Sequence, residues 1–188
     1  SQTLTNVDGP PTLAPDGKRV VLNSPEGLKV WRTDQLEAVP LFLAGSSNLL
    51  TSGSGYQGLY RCLAFSPDGT KIATVGNPDG QRGEIPIIVW NAMTGARLDG
   101  DKLVGHQAKV HGVAWSPDSR SLATCSADGT IRIWDVEGLT EVRRFLGHLS
   151  EPWAVVWGRD GQTVFSTGIS PKVDRINPPP GLESLGDI

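Results

Sequence analysis

The sequence predicts an all-β fold built from about four repeated antiparallel units. Three observations support this fold class. A turn containing Asp recurs along the chain, short apolar strand-like runs flank it, and no segment combines a 3.6-residue apolar period with helix caps. With 23 Gly, 14 Pro, 38% hydrophobic and 20% charged residues, the composition is that of a turn-rich globular chain.

Four related turns mark the repeat. They are Ala14-Pro15-Asp16-Gly17, Ser66-Pro67-Asp68-Gly69, Ser116-Pro117-Asp118-Ser119 and Gly158-Arg159-Asp160-Gly161. Their aspartates are 52, 50 and 42 residues apart, which is the period of a four-stranded propeller blade. We therefore expect a β-propeller or incomplete propeller of about four four-stranded antiparallel blades. The blades are expected at approximately residues 7–50, 51–104, 105–146 and 147–177, with an extended Pro/Gly tail at 178–188.

The third unit shows the expected strands most clearly. Val110–Trp115 forms the first strand, and Ser121–Cys125 resumes the sheet after the Pro-Asp turn. The hairpin signal Ala127-Asp128-Gly129 precedes Thr130–Trp134, which alternates with period two, and Glu141–Leu146 is expected to be the outer strand. Four short strands joined by tight turns form a meander.

These residues resemble the WD-repeat (Trp-Asp repeat) β-propeller family. The third unit matches throughout, and its most specific segments are Gly105-His106, Ser116-Pro117-Asp118, Ser126-Ala127-Asp128-Gly129-Thr130 and Ile131-Arg132-Ile133-Trp134-Asp135. The first and second units keep Val30-Trp31 and Val89-Trp90-Asn91, whereas the fourth begins with Gly147-His148 and then loses the Trp. The resemblance covers approximately residues 9 to 176.

The resemblance implies a structural tetrad in the third unit, formed by His106, Thr124, Asp128 and Trp134. The carboxylate would orient the imidazole, the hydroxyl would bridge, and the indole N–H would end the chain of donors, so a structural role is favoured over a hydrolytic one. The other units keep only part of this pattern. Thr74 in the second unit and Ser166 in the fourth retain the hydroxyl. The departures are Leu22 and Glu26 in the first unit, Tyr56 in the second, and Ser170 and Ile176 in the fourth.

Several kinds of site are not expected. A net charge of −3 provides no basic field for nucleic-acid phosphates. The G-x-G-x-x-G pattern at Gly53–Gly58 precedes a strand rather than the helix that a dinucleotide site requires, so a flexible loop is favoured. The three His residues do not cluster with Cys62 and Cys125, and we predict no metal, no cofactor and no catalytic residue.

The sequence also bears on cellular location. No apolar segment reaches the roughly 18 residues needed to span a bilayer. Two Cys residues provide no disulfide framework, which favours the cytoplasm. A chain that begins with Ser1 leaves open a removed leader or a fragment of a longer protein.

The candidate partner-binding residues lie near one end of the expected blades. The marker Asp and the Trp are 22 residues apart in the second unit, against 15 and 16 in the first and third, and the additional residues fall at 77–85. In the family this hairpin lies on the face that commonly binds partners, although a tolerated surface insertion is the alternative. The candidates are Arg61, Asp79, Arg82, His111 and Trp153.

Three of these candidates, Arg61, His111 and Trp153, occupy equivalent inner-strand positions. Arg and Trp are residue types that often anchor protein interfaces. For Trp153 the alternative is burial against the neighbouring blade.

We therefore expect a non-enzymatic protein–protein interaction scaffold or a structural subunit of a larger assembly. The expected partner is a protein, for example another copy of the chain or a chain that completes the propeller. We expect no nucleic-acid partner and no membrane span. A propeller enzyme or small-ligand binder that uses the central channel is the alternative, and the mostly apolar inner strands weigh against it. Four units are fewer than the usual seven or so blades of such a propeller. The array therefore has open sheet edges unless it closes into an unusually small ring. Thr3-Leu4-Thr5 is a candidate for completing the last blade.

Overall fold

The structure is a computed structural model, which describes residues 8–24, 26–35, 40–43, 46, 62–75, 85–98, 103–146, 148, 151–168 and 173–176. Within these ranges all regular structure is β-strand, which confirms the predicted all-β fold class. Several predictions lie outside the described residues. They concern Thr3-Leu4-Thr5, the loop at 53–58, Arg61, residues 77–84 of the expected hairpin with Asp79 and Arg82, Ser170, and the tail from 178.

In the described part of the chain, fifteen strands form four antiparallel sheets, each in chain order, which we number as blades 1 to 4. Blade 1 contains β1 (Asp8–Leu13), β2 (Arg19–Ser24), β3 (Gly27–Arg32) and β4 (Leu41–Phe42). Blade 2 contains β5 (Leu63–Phe65), β6 (Lys71–Val75), β7 (Ile85–Asn91) and β8 (Leu103–His106). Blade 3 contains β9 (Val110–Trp115), β10 (Ser121–Ser126), β11 (Thr130–Asp135) and β12 (Thr140–Leu146). Blade 4 contains β13 (Pro152–Trp157), β14 (Val164–Gly168) and β15 (Val173–Ile176).

The marker turns close the first hairpin of each blade. In blade 3, Asp118 Oδ1 accepts hydrogen bonds from Ser116 Oγ at 2.5 Å and from the backbone N–H of Arg120 at 3.0 Å. The last residue of the turn has a left-handed backbone in all four blades, with φ between 63° and 71°. Three blades place Gly there, and blade 3 uses Ser119. The turn sequence therefore sets the hairpin geometry.

The hydrophobic core consists of three clusters, each between two consecutive blades. The first strands of neighbouring blades contact each other, β1 with β5, β5 with β9 and β9 with β13. Blades that stack in chain order, with their first strands together, form a partial β-propeller. Blades 2 and 3 are therefore stabilised mainly by burying both faces against their neighbours, and blades 1 and 4 each bury one face in this way.

Candidate functional site

The four residues of the implied tetrad meet at the junction of blades 2 and 3. His106 ends β8 in blade 2, whereas Thr124, Asp128 and Trp134 belong to blade 3. His106 Nδ1 lies 2.9 Å from Asp128 Oδ2, and His106 Nε2 lies 2.7 Å from Thr124 Oγ1. Trp134 Nε1 donates to Thr124 Oγ1 at 2.8 Å. These hydrogen bonds connect the outer strand of one blade to the middle strands of the next.

Burial and hydrogen bonding determine the charges in this network. Burial lowers the pKa of His106 and keeps its imidazole neutral. Although burial opposes the change, hydrogen bonds from Thr130 and His106 lower the pKa of Asp128 to about 2. The neutral imidazole then donates from Nδ1 to the carboxylate and accepts from the Thr124 hydroxyl at Nε2. The His106 ring is fully buried, and its two hydrogen bonds join β8 of blade 2 to the Asp128 hairpin and β10 of blade 3.

Arg132, which the sequence analysis did not single out, extends the network to the outer strand. Its Nη1 donates to Glu141 Oε2 at 2.6 Å, and its Nε donates to Thr130 Oγ1 at 3.2 Å. Its Nη2 lies 3.6 Å from Asp128 Oδ2. Two carboxylates thus compensate a guanidinium that is almost fully buried. The available signal was the period-two pattern of β11, which places Arg132 on the same buried face as Thr130 and Trp134.

A second cluster, formed by His111, Glu151 and Trp153, lies at the junction of blades 3 and 4 and reaches solvent. The rings of His111 and Trp153 stack with their centroids 4.6 Å apart and their planes at 13°. Trp153 is nevertheless 51% exposed. Glu151 Oε2 lies 3.3 Å from His111 Nε2. The structure thus brings His111 and Trp153 together in one surface aromatic pair.

This aromatic pair lies at the same end of the blades as the Asp128 hairpin. The backbone N–H of Ala127 donates to Lys109 O at 2.8 Å, which joins the Asp128 hairpin to the start of β9, just before His111. In blade 4, Pro152 at the start of β13 pairs with Gly168 at the end of β14. The exposed ring, the hairpin and the tetrad therefore share one end of the array, which we call the tetrad end.

The tetrad positions of the other blades keep only parts of the network. In blade 4, His148 Nε2 and Ser166 Oγ remain in contact at 2.8 Å. In blade 2, Thr74 Oγ1 is buried without a hydrogen-bond partner among the described residues. In blade 1 the same is true of Trp31 Nε1, because Leu22 provides no hydroxyl. Among the described residues, the complete set of contacts forms in blade 3.

Within the described ranges, no group of three or more His, Cys, Asp and Glu side chains is placed to hold a metal ion. In the same part of the chain there is no helix with the length and apolar character needed to cross a membrane.

Comparisons with known proteins identify related sequences. Residues 100–135 match the family model "WD domain, G-beta repeat". WD repeat-containing protein 1 of Gallus gallus is 34% identical over 124 residues, which cover 62% of this chain and 19% of that protein. The Periodic tryptophan protein 2 homolog of Dictyostelium discoideum is 34% identical over 103 residues, which cover 55% and 10% of the two chains. Telomerase protein component 1 of Mus musculus is 30% identical over 108 residues, which cover 54% and 4%. The matched part of this chain thus spans about a fifth of the length of the first relative.

Proposed function

Because the chain is a WD-repeat protein, we propose that it is a non-enzymatic scaffold that binds a protein partner through its tetrad end. WD-repeat relatives support an interaction role in general terms. The specific surface is our proposal, and it comprises the His111–Trp153 pair together with Arg61, Asp79 and Arg82. The last three are included on the basis of their sequence positions.

The observation that carries this proposal is the half-exposed indole of Trp153 stacked on His111. A Trp that presents a large apolar surface to solvent is a typical energetic centre of a protein interface. The stack restricts the Trp153 rotamer before any partner arrives, so binding loses less side-chain entropy. A rigid aromatic surface at the junction of two blades is therefore well suited to receive a partner side chain.

The charge beside the ring suggests the chemistry of that partner. The carboxylate of Glu151 is half exposed and lies against His111. A Lys or Arg side chain placed over the Trp153 ring would gain a cation–π contact and would reach the Glu151 carboxylate. We therefore favour a partner segment that presents a basic side chain flanked by apolar residues.

The proposal is tested by comparing binding of the wild-type chain, Trp153→Ala and a matched control in Leu146→Ala. Leu146 is also an exposed large hydrophobic residue, but it lies on the outer strand β12. Partners enriched from native extract are first identified by mass spectrometry, and one is then purified for titration. Truncating a residue at the energetic centre of an interface costs about 2 kcal/mol or more of binding free energy. Trp153→Ala should therefore weaken binding at least ~30-fold.

Leu146→Ala should leave that affinity unchanged, and both variants should unfold at the wild-type temperature. A deletion of residues 80–84 tests the second-unit hairpin in the same titration. If Trp153→Ala and the deletion both bind as tightly as the wild type, the tetrad end is not the binding surface.

A further inference from the structure

The end of the array opposite the tetrad end carries the marker turns, and we call it the marker end. At the junction of blades 2 and 3, this end contains a groove of about 550 Å³. Its walls come from the marker turns of both blades and from the turn between β11 and β12. The groove uses none of the residues of the His111–Trp153 surface, so an inference about it stands independently of the proposed function.

Blade 3 differs from blade 2 at two turn positions, and both of them line this groove. In the described part of the chain, the residues other than glycine with a left-handed backbone are Ser119, with φ of 63°, and Leu139, with φ of 52°. Blade 2 has Gly69 and Gly95 at the equivalent positions, with φ of 71° and 70°. A residue with a Cβ atom pays a conformational cost in this region that glycine avoids. Blade 3 therefore carries backbone strain at the two places where its turns add a side chain to the groove.

Ser119 joins the two marker turns that form one wall of the groove. Its Oγ accepts a hydrogen bond from the backbone N–H of Asp68 at 3.1 Å, and its carbonyl oxygen accepts one from Lys71 Nζ at 3.5 Å. The Ser119 side chain is buried between the blades. These bonds hold the marker turns of blades 2 and 3 at a fixed separation, so the groove is formed before any ligand binds.

Leu139 belongs to the apolar floor of the groove. It packs with Leu98 against the core between blades 2 and 3, and the buried Val136 completes the floor. At the blade 1–blade 2 junction this space is already filled, because a Cβ atom at Gly95 would collide with Phe42 O of β4. At position 139 a whole leucine side chain fits and remains partly exposed. An apolar side chain of a partner can therefore be buried on this floor.

The charged side chains around the groove determine which partner it can accept. Lys71 Nζ lies 3.9 Å from Asp68 Oδ2, so these two charges compensate each other. Asp118, Arg120 and Glu137 are exposed on the rim, and none of them forms an ion pair with another residue that the structure describes. Two carboxylates against one guanidinium leave an excess of negative charge on the rim. The rim is therefore complementary to a basic side chain.

We propose that this groove is a second protein-binding site, which takes an extended segment that presents an apolar side chain next to a Lys or Arg. The apolar side chain is buried on the floor of the groove, and the basic side chain binds the carboxylates of Asp118 and Glu137. Arg120 lies on the same rim and repels the basic side chain, so it limits the affinity. A groove of about 550 Å³ is within the range of sites that bury a ligand. A scaffold with one site at each end can hold two partners at the same time.

The test uses a phage-displayed library of random heptapeptides selected on the full wild-type chain. Peptides that also bind Leu139→Gly are removed, because this variant keeps the left-handed turn and the tetrad end but lacks the leucine side chain. The remaining peptides are synthesised with a fluorescent label, and their affinities are measured by fluorescence anisotropy. We expect these peptides to share an apolar residue next to a Lys or Arg, and Leu139→Gly should weaken their binding at least ~10-fold.

Substitutions on the rim test the assigned charges with the same peptides. Glu137→Gln should weaken binding about 2- to 5-fold, and Arg120→Gln should strengthen it by a similar factor. Met93→Ala is the matched control, because Met93 is exposed at the position of Glu137 in the corresponding turn of blade 2 and does not line this groove. Trp153→Ala, which changes the tetrad end alone, should also leave the affinity unchanged. Failure of one surface is thus distinguished from failure of the other.

Three results would overturn the proposal. They are a selection in which no peptide distinguishes the wild type from Leu139→Gly, enrichment of peptides rich in Asp and Glu, and effects of opposite sign at Glu137 and Arg120. Circular dichroism shows whether Leu139→Gly is folded. If it is not, Glu137→Lys replaces it in the selection, because a charge reversal at this exposed turn position leaves the core intact and repels a basic peptide. Peptides that bind Glu137→Lys as tightly as the wild type would then overturn the proposal.

Discussion

Trp134 and Thr124 are joined by a 2.8 Å hydrogen bond in which the indole Nε1 donates to the threonine hydroxyl. The same hydroxyl lies 2.7 Å from His106 Nε2, so a single oxygen atom connects a Trp of blade 3 with a His of blade 2. All three side chains are buried. The stability of the blade 2–blade 3 junction is therefore expected to depend strongly on this oxygen.

Thr124→Val removes the hydroxyl and keeps the shape of the side chain. Each buried polar group that loses its partner costs about 1–3 kcal/mol, and the substitution leaves both the Trp134 N–H and His106 Nε2 without Thr124. We expect the free energy of unfolding to fall by at least about 2 kcal/mol in urea denaturation. Thr124→Ser retains the hydroxyl, so its free energy of unfolding should fall less. Thr167 is exposed, so Thr167→Val should change the free energy of unfolding little. Equal losses for the Val and Ser variants at position 124 would show that packing, not the hydrogen bond, dominates.

The equivalent position in blade 1 allows the converse experiment. Trp31 Nε1 is buried without a hydrogen-bond partner in the described part of the chain, and Leu22 occupies the place of the Thr124 hydroxyl. Leu22→Thr and Leu22→Val remove similar apolar volume, but only Thr supplies an acceptor for the indole. A Thr in a core ordinarily costs about 1 kcal/mol or more relative to Val when its hydroxyl is unpaired. We expect Leu22→Thr to be at least as stable as Leu22→Val in the same denaturation assay. A Thr variant that is clearly the weaker of the two would contradict an indole–hydroxyl bond at this site.

The His106–Asp128 pair predicts how stability depends on pH. The pKa of Asp128 is lowered from 3.8 to about 2, so its contribution is complete above pH 3.8 and is lost as the pH falls toward 2. The pKa of His106 is lowered from 6.5, so protonation of the unfolded chain reduces stability as the pH falls below 6.5. Urea denaturation from pH 8 to pH 2 should therefore show stability declining in both windows.

Asp128→Asn should flatten the decline below pH 3.8, because the amide does not titrate. Glu137→Gln, which removes an exposed carboxylate from a turn of blade 3, is the control and should retain the wild-type decline. An Asp128→Asn profile parallel to that of the wild type below pH 3.8 would assign the acid sensitivity to other carboxylates.

Cys125 is expected to be chemically inert in the folded chain. Burial, and to a lesser extent the neighbouring Cys62, raise the pKa of its thiol to about 12. Because the thiolate is the reactive form, a thiol reagent at pH 8 should not label Cys125 until the blade 3–blade 4 junction opens. The Cys62→Ser variant leaves Cys125 as the single thiol, so its labelling rate with and without urea provides the measurement. Labelling at the rate of an unfolded cysteine in native buffer would show that this junction is open in solution.

The strands and turns of the third unit could be predicted from the sequence because their signals are local. The Pro-Asp turn, the Asp128 hairpin and the alternation before Trp134 each reflect bonds within a few residues, and the fold class followed from them. Arg132 was missed because its compensating partner, Glu141, lies on the next strand, and a charged residue in a strand otherwise suggests a solvent-facing position. The exposure of Trp153 depends on how closely β9 and β13 approach, which no local pattern encodes.

The approach of β9 to β13 depends on Gly112. A Cβ atom at this position would lie 3.0 Å from Cys125 Sγ and 3.4 Å from the backbone N of Val155. Gly112→Ala should therefore crowd the Cys125 sulfur at the blade 3–blade 4 junction and lower the free energy of unfolding by about 1–3 kcal/mol, the usual cost of overpacking. The stack of His111 on Trp153 spans the same junction, so the fluorescence of Trp153 should change as well.

A double-mutant cycle with Cys125→Ala separates the two contacts. Removing the sulfur relieves the closer one, so Gly112→Ala should cost less in the Cys125→Ala background, by about 1 kcal/mol. The contact with the Val155 backbone persists, and some destabilisation should remain. Purely additive effects would mean that the β13 backbone alone limits the space at Gly112, since the sulfur would then not be the atom that resists the new methyl group.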